Sequence, residues 1–150
     1  MTGSIPRELA ALPQLKVLRL EVNDLQGNIP PELGSLKSAE YINLSQNQLT
    51  GTIPHEIANL TALSVLDLSH NKLSGEVPDL SQLVNLIVVN LADNQLGPVV
   101  PLALFGASQL RQLTLSDNVL EGSLPASLGS PLRSDPEIAQ RLLWACLLLK

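Results

Sequence analysis

The chain has a single cysteine, Cys146, so no disulfide can close within it. Short domains of oxidising compartments often depend on disulfides, and their absence points to a reduced compartment or to a segment of a longer chain. Aromatic residues make up only 2%, which excludes a core assembled around a few large rings. No run approaches the roughly 20 apolar residues of a membrane-spanning helix. The opening Met-Thr-Gly-Ser-Ile-Pro has neither the basic nor the apolar region of a secretory leader. Positive charge is scarce as well: 9 Lys and Arg against 14 acidic residues give a net charge of −5. Nucleic acids and anionic membranes call for clustered positive charge, so neither is an expected partner.

What the chain has is aliphatic repetition. Hydrophobic residues reach 45%, and the stretch Leu60 to Pro78 recurs in nearly the same form along the sequence. A half unit at 1–11 precedes full units at 12–35, 36–59, 60–82, 83–106 and 107–130, so the chain opens in mid-unit. A fixed period near 24 residues predicts a stacked solenoid. Each unit centres on x-x-Leu-x-Leu-x-x, with the pairs Leu18 and Leu20, Ile42 and Leu44, Leu66 and Leu68, Val89 and Leu91, Leu113 and Leu115. Alternation of period two predicts a short strand buried on one face. Strands one period apart can pair only in parallel.

An Asn follows in every unit, at 23, 47, 71, 94 and 118. An amide where the chain turns inward can bond backbone groups that a buried turn leaves open, and five in register predict a ladder. Next comes Leu-x-Gly-x-Ile-Pro or a close variant, in which Gly27, Gly51, Gly75 and Gly122 provide backbone freedom. The proline is expected to open a short helical turn. Glu8, Glu32 and Glu56 then fall in the first turn, where the helix dipole favours acids; a cation site is the less economical account of them.

These residues resemble the plant-type leucine-rich repeat, over residues 1–130. The resemblance implies an α/β solenoid: a right-handed superhelix with a concave parallel β-sheet and short helical turns or a second strand outside. It implies recognition of proteins or peptides, as in part of a receptor-like kinase or receptor-like protein ectodomain, with a co-receptor as a further partner. Its localisation would then be extracellular, with any membrane attachment in segments other than these. A secreted polygalacturonase-inhibitor-like protein and an intracellular scaffold are the alternatives. Three departures stand out: Pro98 occupies a glycine position, and Ala39 and Ala107 occupy leucine positions.

Residues 131–150 break the period. Ser134-Asp135-Pro136-Glu137 is a helix start, and Ile138 to Leu149 then reads as a helix that caps the last coil, since terminal coils need covering. The alternatives are the start of a longer apolar segment and a stretch foreign to the natural chain.

The outward residues of the strand units are the candidates for function. Ser45, Ser69 and Ser116 belong to the repeat pattern, so the variable positions carry the specificity: Tyr41, Asn43, Val65, Asp67, His70, Val88, Asn90, Asp93 and Arg111. Tyr41 is the only Tyr; large aromatics anchor interfaces disproportionately, and shielding of its neighbouring strands is an equally good account of it. Five strands of about five residues give a face of roughly 20 by 17 Å. That is on the order of 300–400 Å² against about 800 Å² per partner in a standard interface, so binding by this chain alone should be weak. Asn43-Leu-Ser45 and Asn59-Leu-Thr61 are glycosylation sequons, the first of which would place a glycan on the binding face.

Catalysis is not expected. Ser69, His70 and Asp93 come together, but the surface is open and no oxyanion donors surround it, whereas a nucleophile needs a bonded base and a preorganised site. His55, His70 and Cys146 do not cluster as metal ligands, the glycines belong to the repeat rather than to a phosphate loop, and no cofactor is implied.

Overall fold

A computed structural model describes residues 1–97, 104 and 109–120. The chain winds in coils, each laying down one inner and one outer strand. In order these are β1 (Thr2–Gly3), β2 (Val17–Arg19), β3 (Asp24–Asn28), β4 (Tyr41–Asn43), β5 (Gln48–Gly51), β6 (Val65–Asp67), β7 (Lys72–Gly75), β8 (Val88–Asn90), β9 (Gln95–Leu96) and β10 (Gln112–Thr114). Even-numbered strands form the inner sheet in the order β10-β8-β6-β4-β2, and odd-numbered strands the outer sheet, β1-β3-β5-β7-β9. Every pairing is parallel. Leu18, Ile42, Leu66, Val89 and Leu113 stand in one register across the inner sheet. The architecture is the expected α/β solenoid with a concave inner sheet, and its outer side carries both a second sheet and helical turns.

Among the described residues the core is a column of aliphatic side chains with no aromatic member. Leu33, Leu36, Leu49, Leu60, Leu63, Leu66, Leu73 and Leu86 are fully buried. Stacking, not the single coil, produces that burial. Leu12, in the first full coil, is 49% exposed, whereas Leu36 and Leu60 at the same place in later coils are sealed. Sealing a leucine is worth about 1.5–3 kcal/mol, which only a neighbouring coil can supply. Ala39 is also fully buried, so its smaller side chain still lies within the packed column.

The helical turns differ from expectation in one respect. They are 3-10 turns of five residues, Arg7–Ala11, Pro31–Ser35 and His55–Asn59. Pro6, Pro30 and Pro54 do not occupy the first helical position but stand just before it, with extended backbones. Their carbonyls accept the first helical bonds, from Leu9, Leu33 and Ile57 N–H. Glu8, Glu32 and Glu56 do fall in the first turns.

The asparagine ladder forms. Nδ2 of Asn71 donates to Leu44 O, Leu68 O and Ser69 O at 3.0–3.2 Å, and its Oδ1 accepts from Leu49 N–H at 3.0 Å. Asn47, Asn94 and Asn118 repeat the arrangement. Asn23 has no inner-sheet coil before it among the described residues; it bonds Leu20 O and Glu21 O and accepts from the Met1 ammonium. Pro98, Ala107, Gly122 and the 131–150 segment, including Cys146, lie outside the described residues. No helix among those described is long and apolar enough to cross a membrane.

Candidate functional site

Period-two alternation sends every second side chain of the inner sheet outward, and parallel register stacks those side chains into columns. The first column is Val17, Tyr41, Val65, Val88 and Gln112, and the second is Arg19, Asn43, Asp67, Asn90 and Thr114. Strands proper hold three residues, fewer than the five expected, and the exposed face continues past their ends. Val22, Gln46, His70, Asp93 and Asp117 form a last column in which every residue has a left-handed backbone, φ 53–56°.

The first column is an apolar strip. Val17 is 50% exposed, Ile87 at its edge 37%, and Tyr41, Val65 and Val88 are half-buried. The Arg19 guanidinium lies 4.8 Å from the Tyr41 ring centroid, a cation–π geometry. Arg19 also sits 3.7 Å from Glu21, whose Oε2 is buried without a partner among the described residues. Lys16 pairs with Glu40 at 2.8 Å, and the hydrogen bond to Glu40 raises the Lys16 pKa above its ordinary value.

In the second column three candidates have a structural duty that the sequence did not signal. Oδ1 of Asn43, Asp67 and Asn90 accepts the N–H two residues on, from Ser45, Ser69 and Ala92. These are side-chain turns that steer the chain out of the strand. Asn43 is only 9% exposed and its Nδ2 lies 3.4 Å from the Tyr41 hydroxyl, so the folded chain leaves little room there for a glycan. Asn59, by contrast, is exposed at the end of its 3-10 turn.

His70 and Asp93 are brought together, Nδ1 to Oδ2, at 2.7 Å. Both side chains are more than half exposed. Ser69 does not join them: its hydroxyl donates to Asp67 Oδ1 at 2.7 Å and the residue is buried. A serine that donates to a carboxylate, away from the imidazole, is not activated by it. Arg111 is exposed at the opposite edge, its N–H bonded to Ile87 O. Val17, Arg19 and Asp117 share columns with the nominated residues but were not among them; their signal was the register itself. No group of three His, Cys, Asp or Glu side chains that could hold a metal occurs among the described residues. A separate groove of about 680 Å³ lies on the outer flank, between Ile29, Pro31, Pro54, Glu56, Val77 and Asp79.

Comparison with known proteins agrees with this geometry. Residues 13–73 match a family model described as leucine rich repeat, and residues 109–131 match a second model of the same description. Among solved structures, the plant peptide hormone receptor RGFR1 in complex with RGF2 is 36% identical with a TM-score of 0.83, over 85% of this chain and 21% of that one. The Arabidopsis receptor kinase HAESA, in complex with the peptide hormone IDA and the co-receptor SERK1, is 38% identical with a TM-score of 0.73, over 86% and 22%. The ectodomain of the receptor kinase SOBIR1 from Arabidopsis thaliana is 36% identical with a TM-score of 0.76, over 83% and 68%. The chain thus spans about a fifth of the length of either peptide receptor. No curated protein matches it.

Proposed function

The chain belongs to the leucine-rich repeat family, and from that premise we propose that it is a recognition module that holds a peptide or a protein segment against its concave sheet. The observation that carries this reading is the apolar strip on the inner sheet in register across four coils, Val17 exposed and Tyr41, Val65 and Val88 half-buried. Apolar side chains turned to solvent in a contiguous row mark interaction surfaces. Related receptors are solved with peptide hormones, and HAESA with a co-receptor too; a co-receptor contact for this chain fits the same pattern. The face acts by binding, not by catalysis, since the Ser69 hydroxyl is bonded to Asp67 and turned from His70. With at most about half the area of a standard interface, the chain alone should bind in the micromolar range or weaker.

The test is selection of random twelve-residue peptides on the full chain, followed by binding to the Tyr41→Ala and Val65→Ser variants. Selected peptides should lose at least about tenfold in affinity, the cost of an interface anchor. Peptides that bind both variants as well as the parent chain would place recognition elsewhere. An extracellular location is part of the proposal, supported by exposed Asn59: expression through a secretory pathway should give a glycan mass that Asn59→Gln removes.

A further inference from the structure

The groove on the outer flank, about 680 Å³ in volume, is built by three consecutive full coils and lies away from the concave sheet. Those coils stack through β3, β5 and β7, and at a strand spacing of about 4.8 Å the groove runs roughly 10 Å across them, the length of about three extended residues. Its lining changes along that length. The first coil contributes the neutral Asn28 and Pro31, and the second Glu56, which contacts His55 at 3.4 Å. In the third coil Glu76 and Asp79 flank Val77 and Pro78. Both carboxylates are exposed, and no cation among the described residues pairs with either. No Lys or Arg of the described residues lines the groove. The Ser81 N–H holds the Asp79 carboxyl below its ordinary value, so that group is charged at neutral pH. Between the charges the lining is apolar: Pro54 and Pro78 are half-buried, beside the buried Ile53 and Val77.

An apolar lining that ends in two carboxylates is complementary to a side chain with an aliphatic stem and a cationic tip. We propose that this groove is a second docking site, independent of the concave face, for an extended basic segment of a protein partner. The stem of an arginine lies along Pro54 and Pro78, and its guanidinium reaches Glu76 and Asp79. The planar fork of donors suits two carboxylates better than the single point charge of a lysine does. The neutral first-coil end and the acidic third-coil end give the segment a direction along the groove.

Three fluorescein-labelled peptides, titrated into the full chain by anisotropy at about 0.15 M salt, provide the test: Gly-Arg-Gly-Arg-Gly and the same peptide with citrulline or diaminopropionate in place of arginine. Citrulline keeps the shape and loses the charge; diaminopropionate keeps the charge and loses the stem. The arginine probe should bind at least about fivefold tighter than either other, on the scale of two exposed ion pairs. Glu76→Gln with Asp79→Asn should remove that advantage, and Asn keeps an oxygen to accept the Ser81 N–H, so the turn is kept. Glu8→Gln with Asp24→Asn makes the same change in net charge at residues that do not line the groove, and should have no effect. Tyr41→Ala should have none either, which separates this site from the concave face. Equal losses in the two double variants would mean that net charge alone attracts the probe, and would overturn the proposal. So would equal binding of the citrulline or diaminopropionate probe, or no binding by any of the three. Loss of the arginine probe in Tyr41→Ala would place its binding on the concave face, leaving recognition there intact and the second site refuted.

Discussion

Leu49 N–H donates to Oδ1 of Asn71, 22 residues further on and one coil along, at 3.0 Å. The same amide sends its Nδ2 to Leu44 O in the earlier coil and to Leu68 O in its own. One buried side chain thus satisfies backbone groups of two coils and fastens one to the next. Removing it leaves those groups unpaired in an aliphatic interior, at about 1–3 kcal/mol. Asn71→Ala should therefore lower the unfolding free energy by that amount in urea titration. Asn23→Ala should cost less, since Asn23 is half-buried and bonds carbonyls only of its own coil. Equal losses at the two positions would refute the ladder as the cause.

Gly34 marks how closely the outer turns stack. It is buried, and a Cβ placed on it would lie 2.4 Å from Glu56 O and 2.6 Å from Glu56 Cβ. The obstruction is backbone of the neighbouring turn, which cannot swing aside as a side-chain tip can. Gly34→Ala should destabilise by about 1–3 kcal/mol, the usual cost of overpacking. Gly27→Ala differs in kind: its added Cβ would meet only Ser4 at 3.8 Å, and the cost there comes from a φ of +77°. Thermal unfolding of the two variants checks this. A Gly34→Ala midpoint equal to the parent's would mean that the turns are not in contact as described.

Asp79 accepts the Ser81 N–H at 2.9 Å, and that bond to the backbone holds its carboxyl below the ordinary value of 3.8. The sign follows from which form the bond favours. A depressed folded value adds stability above the unfolded value and loses it as pH falls through the folded one. The group is exposed, so the effect on stability is screened. The Ser81 amide resonance should titrate with a midpoint below 3.8 and shift little above it. A midpoint at or above that value would show the bond to be absent in solution.

Much of this was legible in the sequence, for a physical reason. Leu18, Ile42, Leu66 and Leu113 recur at one place in the unit because each must fill the same space in a stack, and repetition converts a packing requirement into a visible period. Asn71 and its counterparts were legible likewise, since a short amide side chain both donates and accepts across one buried turn. The candidate face was less so. Asn43, Asp67 and Asn90 share one column of the inner sheet, but they spend one oxygen on the chain's own turn, which alternation alone does not reveal. The left-handed column was not legible at all. Val22, Gln46, His70, Asp93 and Asp117 share a backbone conformation but no single side-chain type, and Val22 and Gln46 are not of the kinds that favour it.

That column contains one residue at odds with its backbone. Val22 holds φ at 56°, where a branched Cβ crowds the following carbonyl; the left-handed region costs an L-residue roughly 1–2 kcal/mol, and a β-branched one is a true outlier there. Asp93 and Asp117 are of a type that enters this region more readily. Val22 is 66% exposed, so little packing offsets the strain. It persists because the backbone is held on both sides: Val22 N–H donates to Ser45 O and Asn23 N–H to Gln46 O. Val22→Asn should relieve the strain without disturbing those bonds, stabilising the chain by about 0.5–1 kcal/mol, part of the conformational cost. Val22→Ile should give no gain, as it keeps the branch. If chemical denaturation finds Val22→Asn no more stable than the parent while Val22→Ile is unchanged, the left-handed backbone at this position is not a source of strain.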